Sequence, residues 1–302
     1  MVIKTGIVGL SEGNGHPFSF SAIINGYNKK EFFNSGWHVI LDYLEKQDSK
    51  NFGFKDIKIT HAWTQNFNLT QQLCKSCKID NACSHLEEMK NKVDALIIAR
   101  DDWKSHMHFA LPFLRDNIPV FIDKPLTIDR EELKIFKPYL EKNKLISCSG
   151  FRFAKELDLV RKKKYVNSIK LISSTVMNDV VKYGIHILEA LSGIGIKFNE
   201  IKLIRNIEGR NESFLIILKN DLPIYLNCIG KVNRTFHISI FGENKNKYFN
   251  LHNNFFAFRR TLESFFEMVK YKKMVIDPNE TISLMNLLYN LKKIDKGSSI
   301  SF

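Results

Sequence analysis

Lys124 stands between Asp123 and Pro125, where the apolar run of "IPVFIDKPL" stops. An amine at the tip of a buried strand loses part of its hydration, which lowers a lysine's pKa and suits it to proton exchange. The competing reading is a lysine that only snorkels from a strand end. Pro125 ends the strand and fixes the backbone beside it.

"GIVGLSEGNGHPFSF" is the second stretch with chemical content. Gly9, Ser11, Gly13, Asn14, Gly15 and His16 lie between an apolar strand and helix-compatible residues. A dinucleotide pyrophosphate needs small residues there, because the backbone must turn tightly and offer amide groups at a helix start. Ser11 stands where the usual pattern has its second glycine and Asn14 where it has the third. Such a turn also serves purely structural ends, so alone it leaves a nucleotide undecided. The end of the next strand, "THAWTQN", carries no acid to hold an adenosine ribose. Thr64 or Gln65 can bond a ribose hydroxyl and His61 can approach a 2'-phosphate, so NAD and NADP both stay open.

Cys74, Cys77 and Cys83 fall close together in "CKSCKIDNAC", with His85 the nearest fourth ligand for a zinc ion. Small buried thiols explain the same residues without a metal, and no metal is expected.

The elements that must position these groups alternate through the first half of the chain. "TGIVGL", "DIKITHAW", "VDALIIA", "IPVFID" and "LISCSGF" read as buried strands, and "SHMHFALPFLRDN" and "TIDREELKIFKPYLEKN" as helices between them. The last of these opens with Thr127 as its expected cap. Trp37, Ile40, Leu41 and Leu44 share one helical face inside a longer connection, which is treated as an insertion. This is the pattern of an α/β parallel sheet over residues 1–150. From about Arg152 it changes. "IKLISSTVM", "IKLIRNIEG", "SFLIILKN", "LPIYLNCIG" and "TFHISIFG" predict a mixed, largely antiparallel open sheet, with a hairpin at "KNDLP" and helices near 255–270 and 280–293. Residues 151–302 are thus expected to form an α+β domain.

The 302 residues, 44% hydrophobic, suffice for two such domains. The start "MVIKTGIVGL" breaks too early for a signal sequence, and no run spans a membrane. With five cysteines and no secretory signal, a cytoplasmic setting is expected. The formal charge of +13 is spread along the chain rather than gathered into a stripe. Its one tight cluster, "RKKKY" at 161–165, is read as the end of a helix, where cations face the terminal carbonyls. Nucleic acid and membrane partners are therefore not expected, whereas an anionic small molecule would suit a basic surface.

Taken together, the glycine-rich turn, His106 placed 18 residues before Lys124, and Asp123-Lys124-Pro125 in place of Glu-Lys-Pro resemble the Gfo/Idh/MocA family of oxidoreductases. "SGFRF", "YGIHILEAL" and "PNETISLMNLLYNL" extend the resemblance over nearly the whole chain. It implies a Rossmann dinucleotide-binding domain and an α+β domain for substrate binding and homodimer or homotetramer formation. It further implies NAD or NADP as cofactor, and hydride transfer at a hydroxyl or keto carbon of a sugar, polyol or nucleotide sugar. Lys124 takes the role of the family lysine that touches the cofactor region and the reacting oxygen. His186 matches the histidine that commonly moves the proton, and Glu189 the acid three residues on. The family aspartate is replaced by Lys182, which shares a helical face with His186: either Lys182 takes over the substrate contact or the usual Asp/His relay is absent. Asp179 and Tyr183 border the same face as substrate candidates, Tyr183 also fitting a buried aromatic. Arg152 either binds an anionic group or pairs with an acid. By their place beside the cleft, Arg100, Asp101, Asp102, Trp103, His106 and Asp123 are expected near the cofactor. The replaced aspartate also suits a non-catalytic nucleotide-binding homologue, and a cofactor-recycling isomerase or lyase shares the same hydride step.

Overall fold

The computed structural model describes residues 2–302. The chain divides into two compact units. The first comprises residues 1–127, 134–147 and 262–275, and the second 128–133, 148–261 and 276–302.

In chain order the first half runs β1 (Ile3–Val8), α1 (His16–Asn25), α2 (Lys29–Asn34), α3 (His38–Glu45), β2 (Ile57–Trp63), α4 (Phe67–Cys77), β3 (Asn81–Ala82), β4 (Ala95–Ile98), α5 (His106–Arg115), β5 (Val120–Asp123), α6 (Arg130–Glu141) and β6 (Leu145–Cys148). The sheet has the order β3-β2-β1-β4-β5-β6, with β1 parallel to β2 and β4, β2 to β3, and β4 to β5. This is the Rossmann order, and its connections diverge between β1 and β4, the position at which sheets of this kind bind ligands beyond the strand ends. Strands β4, β5 and β6 are buried at every position, as a sheet covered on both faces requires. The 37/40/41/44 stripe forms as expected: Ile40, Leu41 and Leu44 are buried on α3, with Trp37 preceding the helix. The short edge strand β3 lies inside the cysteine segment, where thiol spacing carries no strand signal. Phe265 packs 6.0 Å from Phe121 and Phe266 5.8 Å from Phe54, which brings residues 262–275 into this unit's core.

One cap differs from expectation. The Asp129 carboxylate accepts the N–H groups of Glu131 and Glu132, so helix α6 starts at Arg130 rather than at Thr127, which is buried.

The second half adds α7 (Lys163–Val166), β7 (Ile169–Val176), α8 (Ile185–Gly193), β8 (Ile201–Ile207), β9 (Glu212–Leu218), β10 (Pro223–Cys228), β11 (Phe236–Gly242), β12 (Asn246–Asn250), α9 (Asn254–Tyr271), α10 (Pro278–Lys293) and β13 (Ser299–Ser301). Their sheet runs β12-β11-β7-β10-β9-β8-β13. Every pair is antiparallel except β7 with β10. The "KNDLP" hairpin joins β9 to β10, with Asp221 at φ 60° and the Leu218 N–H on the Leu222 carbonyl. Ile172, Phe214, Ile216, Ile224 and Leu226 are buried on one face, while Leu171, Leu215, Ile217 and Tyr225 on the other are half-buried. The basic cluster at 161–165 begins at the C-terminal cap of a 3₁₀ helix, Lys155–Val160, as expected of a helix end, and runs on across the start of α7. The side chains of Lys163 and Lys164 lie outside the described residues.

Among the described residues, no helix is long and apolar enough to cross a membrane, and no group of three ligating side chains could hold a metal ion. Cys74, Cys77 and Cys83 are buried thiols. Burial pushes Cys74 up to about 12 and Cys83 to about 11, and holds Cys77 well above the usual thiol range.

Candidate functional site

The turn after β1 is stitched to three neighbouring strand ends. Gly9 donates its N–H to the Trp63 carbonyl at the end of β2, and Leu10 donates to Oε1 of Gln65 at 3.0 Å. Ser11 Oγ lies 2.6 Å from Asp101 Oδ1 in the loop after β4. Asn14 Nδ2 donates to Asp123 Oδ2 at 3.2 Å, and His16 Nδ1 pairs with the same oxygen at the end of β5. The other Asp123 oxygen accepts the Lys124 N–H at 2.9 Å. Asp123 is therefore the post to which the glycine-rich turn is tied.

Glycine is needed in this turn for space. A Cβ on Gly9 would stand 2.3 Å from Pro17, and one on Gly15 2.5 Å from Ile40 and 2.6 Å from Trp37. Gly13, at φ 71°, occupies the left-handed region. Helix α1 starts immediately after, with Pro17 in its first turn and the His16 N–H held by Asn14 Oδ1 at 2.8 Å. A tight turn, close backbone approach and a helix N-terminus are the parts a pyrophosphate requires, so these residues fit a dinucleotide.

Lys124 follows directly. Its side chain is buried, its peptide bond to Pro125 is cis, and Nζ stands 3.7 Å from Asp101 Oδ2. The Asp101 carboxylate thus touches the glycine turn through Ser11 and the lysine through Nζ. No sequence signal marked it as a link between the two; only the position of its loop did.

Other residues expected near a cofactor do different work. His106 is fully buried, with Nδ1 2.9 Å from the Leu126 carbonyl oxygen and Nε2 2.9 Å from that of Arg100. Both ring nitrogens are occupied by main chain, so the expectation of a cofactor contact there is corrected: His106 joins the loops after β4 and β5. Burial lowers its pKa against the pull of those two carbonyls. Arg100 is held by its neighbours. It grips Asp102 through Nε and Nη2, both at 2.8 Å, reaches Gln65 at 3.2 Å and stacks over Phe109. Burial would raise Asp102, but the Arg100 bonds outweigh it and hold this carboxyl below its usual range. Thr64 is buried and bonds Thr70 and the Asn66 carbonyl, which ties down the start of α4. His61 is likewise buried within β2, its Nδ1 on Thr60 Oγ1. Trp103 opens a short 3₁₀ turn and lies half-buried beneath the Lys104 ammonium.

In the second unit His186 sits on the first turn of α8. Its Nδ1 is 2.6 Å from Ser149 Oγ, and its ring is bracketed by Phe151, Tyr183 and Phe236 at centroid distances of 5.6, 5.7 and 5.5 Å. Tyr183 stacks on Phe236 at 5.8 Å. Ser149 and Phe236 escaped the sequence reading. The serine is visible only as a hydroxyl two residues before Phe151, and the phenylalanine belongs to β11, far along the chain.

The expected shared face of Lys182 and His186 is altered. Residues Val180–Gly184 form a π-helical turn in which Asp179 accepts the Gly184 N–H five residues on. The extra residue moves Lys182 out of α-helical register with His186. Lys182 is exposed. Asp179 is committed to the helix start, its Oδ1 accepting the Val181 and Lys182 N–H groups at 2.9 Å, while Glu212 accepts that of Val180.

Arg152 is also corrected. Its guanidinium is buried and each of its three nitrogens is partnered: Nε on Glu189 and Nη1 on Glu280, both at 2.6 Å, and Nη2 on Ser192 at 3.0 Å. Of the two uses open to it, pairing with acids is the one realised. Burial lifts the Glu189 carboxyl above its usual range, partly offset by Arg152. Burial works the other way on Arg152, yet Glu189 and Glu280 outweigh it and keep the guanidinium firmly charged.

Solved structures share this fold over nearly the full chain. One is scyllo-inositol dehydrogenase from Lactobacillus casei with bound NAD(H) and scyllo-inositol: TM-score 0.76, 14% identity, covering 100% of this chain and 99% of that one. Another is UDP-N-acetylglucosamine 3-dehydrogenase from Acidithiobacillus ferrooxidans: TM-score 0.71, 12% identity, covering 96% and 97%. A third, myo-inositol dehydrogenase from Lactobacillus casei in complex with NAD(H) and myo-inositol, gives a TM-score of 0.73 at 11% identity, covering 100% and 97%. No curated protein matches by sequence. Residues 31–151 match the family model described as an oxidoreductase family with an NAD-binding Rossmann fold, Gfo/Idh/MocA. The segment that carries Lys124 is thus similar to the NAD-binding Rossmann domain of the Gfo/Idh/MocA oxidoreductases.

Proposed function

We propose that this chain is an NAD(P)-dependent dehydrogenase or reductase that moves a hydride to or from a hydroxyl or keto carbon of a sugar, polyol or nucleotide sugar. The observation that carries the reading is the Ser11–Asp101–Lys124 chain of contacts, which joins a dinucleotide-type turn to a buried amine through one carboxylate. When bound, the nicotinamide would supply or accept the hydride. The protein's part is to hold the reacting oxygen and manage its proton. Lys124 is the first unit's candidate for that task, and His186, with Tyr183 beside it, the second unit's. Residues 1–150 then serve the cofactor, and residues 151–302 serve the substrate and assembly. The half-buried sheet face with Leu171, Leu215, Ile217 and Tyr225 is assigned to a homodimer or homotetramer contact in a cytoplasmic enzyme. The fold's likeness to inositol and UDP-N-acetylglucosamine dehydrogenases supports polyols and nucleotide sugars as the first substrates to try.

The test is titration with NADH and NADPH by fluorescence, followed by absorbance assays with myo-inositol, scyllo-inositol and UDP-N-acetylglucosamine. Saturable binding of one cofactor and turnover of a polyol or nucleotide sugar are expected. Failure to bind either cofactor refutes the proposal. Binding without turnover across a wide sugar panel favours a non-catalytic homologue.

A further inference from the structure

We infer that the connection between α1 and β2 braces the glycine-rich turn for its cofactor, with Trp37 as the positioning residue. The assignment of a dinucleotide to that turn rests on the oxidoreductase reading; the brace itself does not.

A helix that has returned the chain across a parallel sheet needs only about two to six residues to reach the next strand. Here the link runs over residues 26–56 and carries two α-helices of its own, α2 and α3. Its first half is moored to α4. Gln72 Nε2 and Ser76 Oγ donate to the Glu31 carbonyl oxygen at 2.7 and 3.0 Å, and the Asn28 N–H donates to the Ser76 carbonyl oxygen at 2.9 Å. Phe32, fully buried, lies edge-on to Phe18 of α1 at 5.6 Å. The second half bears on α1 and the turn before it. Ile40, Leu41 and Leu44 are buried on α3, Tyr43 is hydrogen-bonded to Ser19, and Trp37 lies half-buried 6.1 Å from Phe18.

This packing meets the turn at Gly15. Gly15 caps α1 without a side chain, and the three atoms nearest its missing Cβ all belong to Ile40 and Trp37, at 2.5 to 2.8 Å. The strand ends hold Gly9, Leu10, Ser11, Asn14 and His16 by hydrogen bonds. Gly15 is instead walled by contact with α3, whose fit against the backbone depends on the ring of Trp37 and the end of Ile40.

Glycine loses more conformational freedom on ordering than any other residue. A turn that contains Gly9, Gly13 and Gly15 therefore charges that loss to ligand binding unless the protein has already ordered it. The α3 wall does so at the residue where a pyrophosphate would meet the start of α1. Trp37 then acts through Gly15, without touching the cofactor.

Amide hydrogen exchange and cofactor titration on the same proteins test this. In cofactor-free Trp37→Ala, peptides covering residues 9–19 should exchange about tenfold faster than in wild type, while those covering β4 and the second unit's sheet keep their rates. The dissociation constant for NADH or NADPH, whichever binds the wild type, should rise about tenfold by nicotinamide emission, the effect of ordering about one more residue on binding. Trp37→Phe keeps an aromatic ring beside Gly15 and should bring both readings back to within about threefold of wild type. Should Trp37→Ala not fold, Ile40→Ala opens the other side of the same contact and is read in the same way. Unchanged exchange over residues 9–19, or equal acceleration throughout the chain, overturns the inference. So does an unchanged dissociation constant in a protein whose turn has loosened. If the wild type binds neither cofactor, the oxidoreductase reading fails, and the exchange rates still decide whether Trp37 braces the turn.

Discussion

Arg152 and Glu189 meet at 2.6 Å in a fully enclosed ion pair, and Glu280 reaches the same guanidinium from helix α10. Three segments distant in sequence are held by one side chain: the 3₁₀ turn after β6, helix α8 and helix α10. Gly193 reinforces the junction, since a Cβ there would lie 2.1 Å from the Arg152 carbonyl oxygen.

Removing the cation alone strands two carboxylates, one of them buried. Arg152→Met should lower unfolding free energy by about 3–5 kcal/mol, the usual loss when one partner of a buried pair is deleted. The urea midpoint measures it. A change below about 1 kcal/mol would mean the acids find protons or water at little cost.

Lys124→Ala should leave NADH affinity within about twofold and reduce turnover by roughly a hundredfold or more, in the range of a lost acid–base group. Fluorescence titration and steady-state assays on the same preparation separate the two effects. Unchanged turnover would remove Lys124 from the chemistry.

Acid sensitivity should trace in part to Asp158. The bidentate grip of Arg260, with Arg161 nearby, holds its carboxyl below the ordinary value of 3.8 despite partial burial. A carboxyl with a depressed folded pKa contributes stability that is complete above 3.8 and lost as the pH falls through its lower folded value. Chemical denaturation at pH 5 and pH 3 should therefore show a smaller pH-dependent loss in Asp158→Asn than in wild type.

The strand-and-helix alternation of the first half was legible because each element carries its own pattern. "VFID" is apolar throughout, and the 37/40/41/44 stripe needs no partner to be seen. Lys124 was legible for the same reason, sitting at the end of a buried run. Arg152 was not: its choice between a ligand and an acid depends on Glu280, 128 residues later. The π turn before His186 was equally hidden, since its start is held in part by Glu212 from β9. Local spacing predicts an α-helix there, and a non-local carboxylate helps decide otherwise. Ser149 shows the limit from the other side, because its significance lies wholly in where β6 delivers a common hydroxyl.

The burial of all five thiols gives the chain an internal clock of its own opening. An alkylating reagent should find none of them while the protein is folded, so modification follows exposure events rather than surface chemistry. Cys74, Cys77 and Cys83 belong to the first unit, Cys148 and Cys228 to the second. Pulse alkylation followed by peptide mass analysis would then time the breathing of each half separately, in the unmutated protein and without an attached probe.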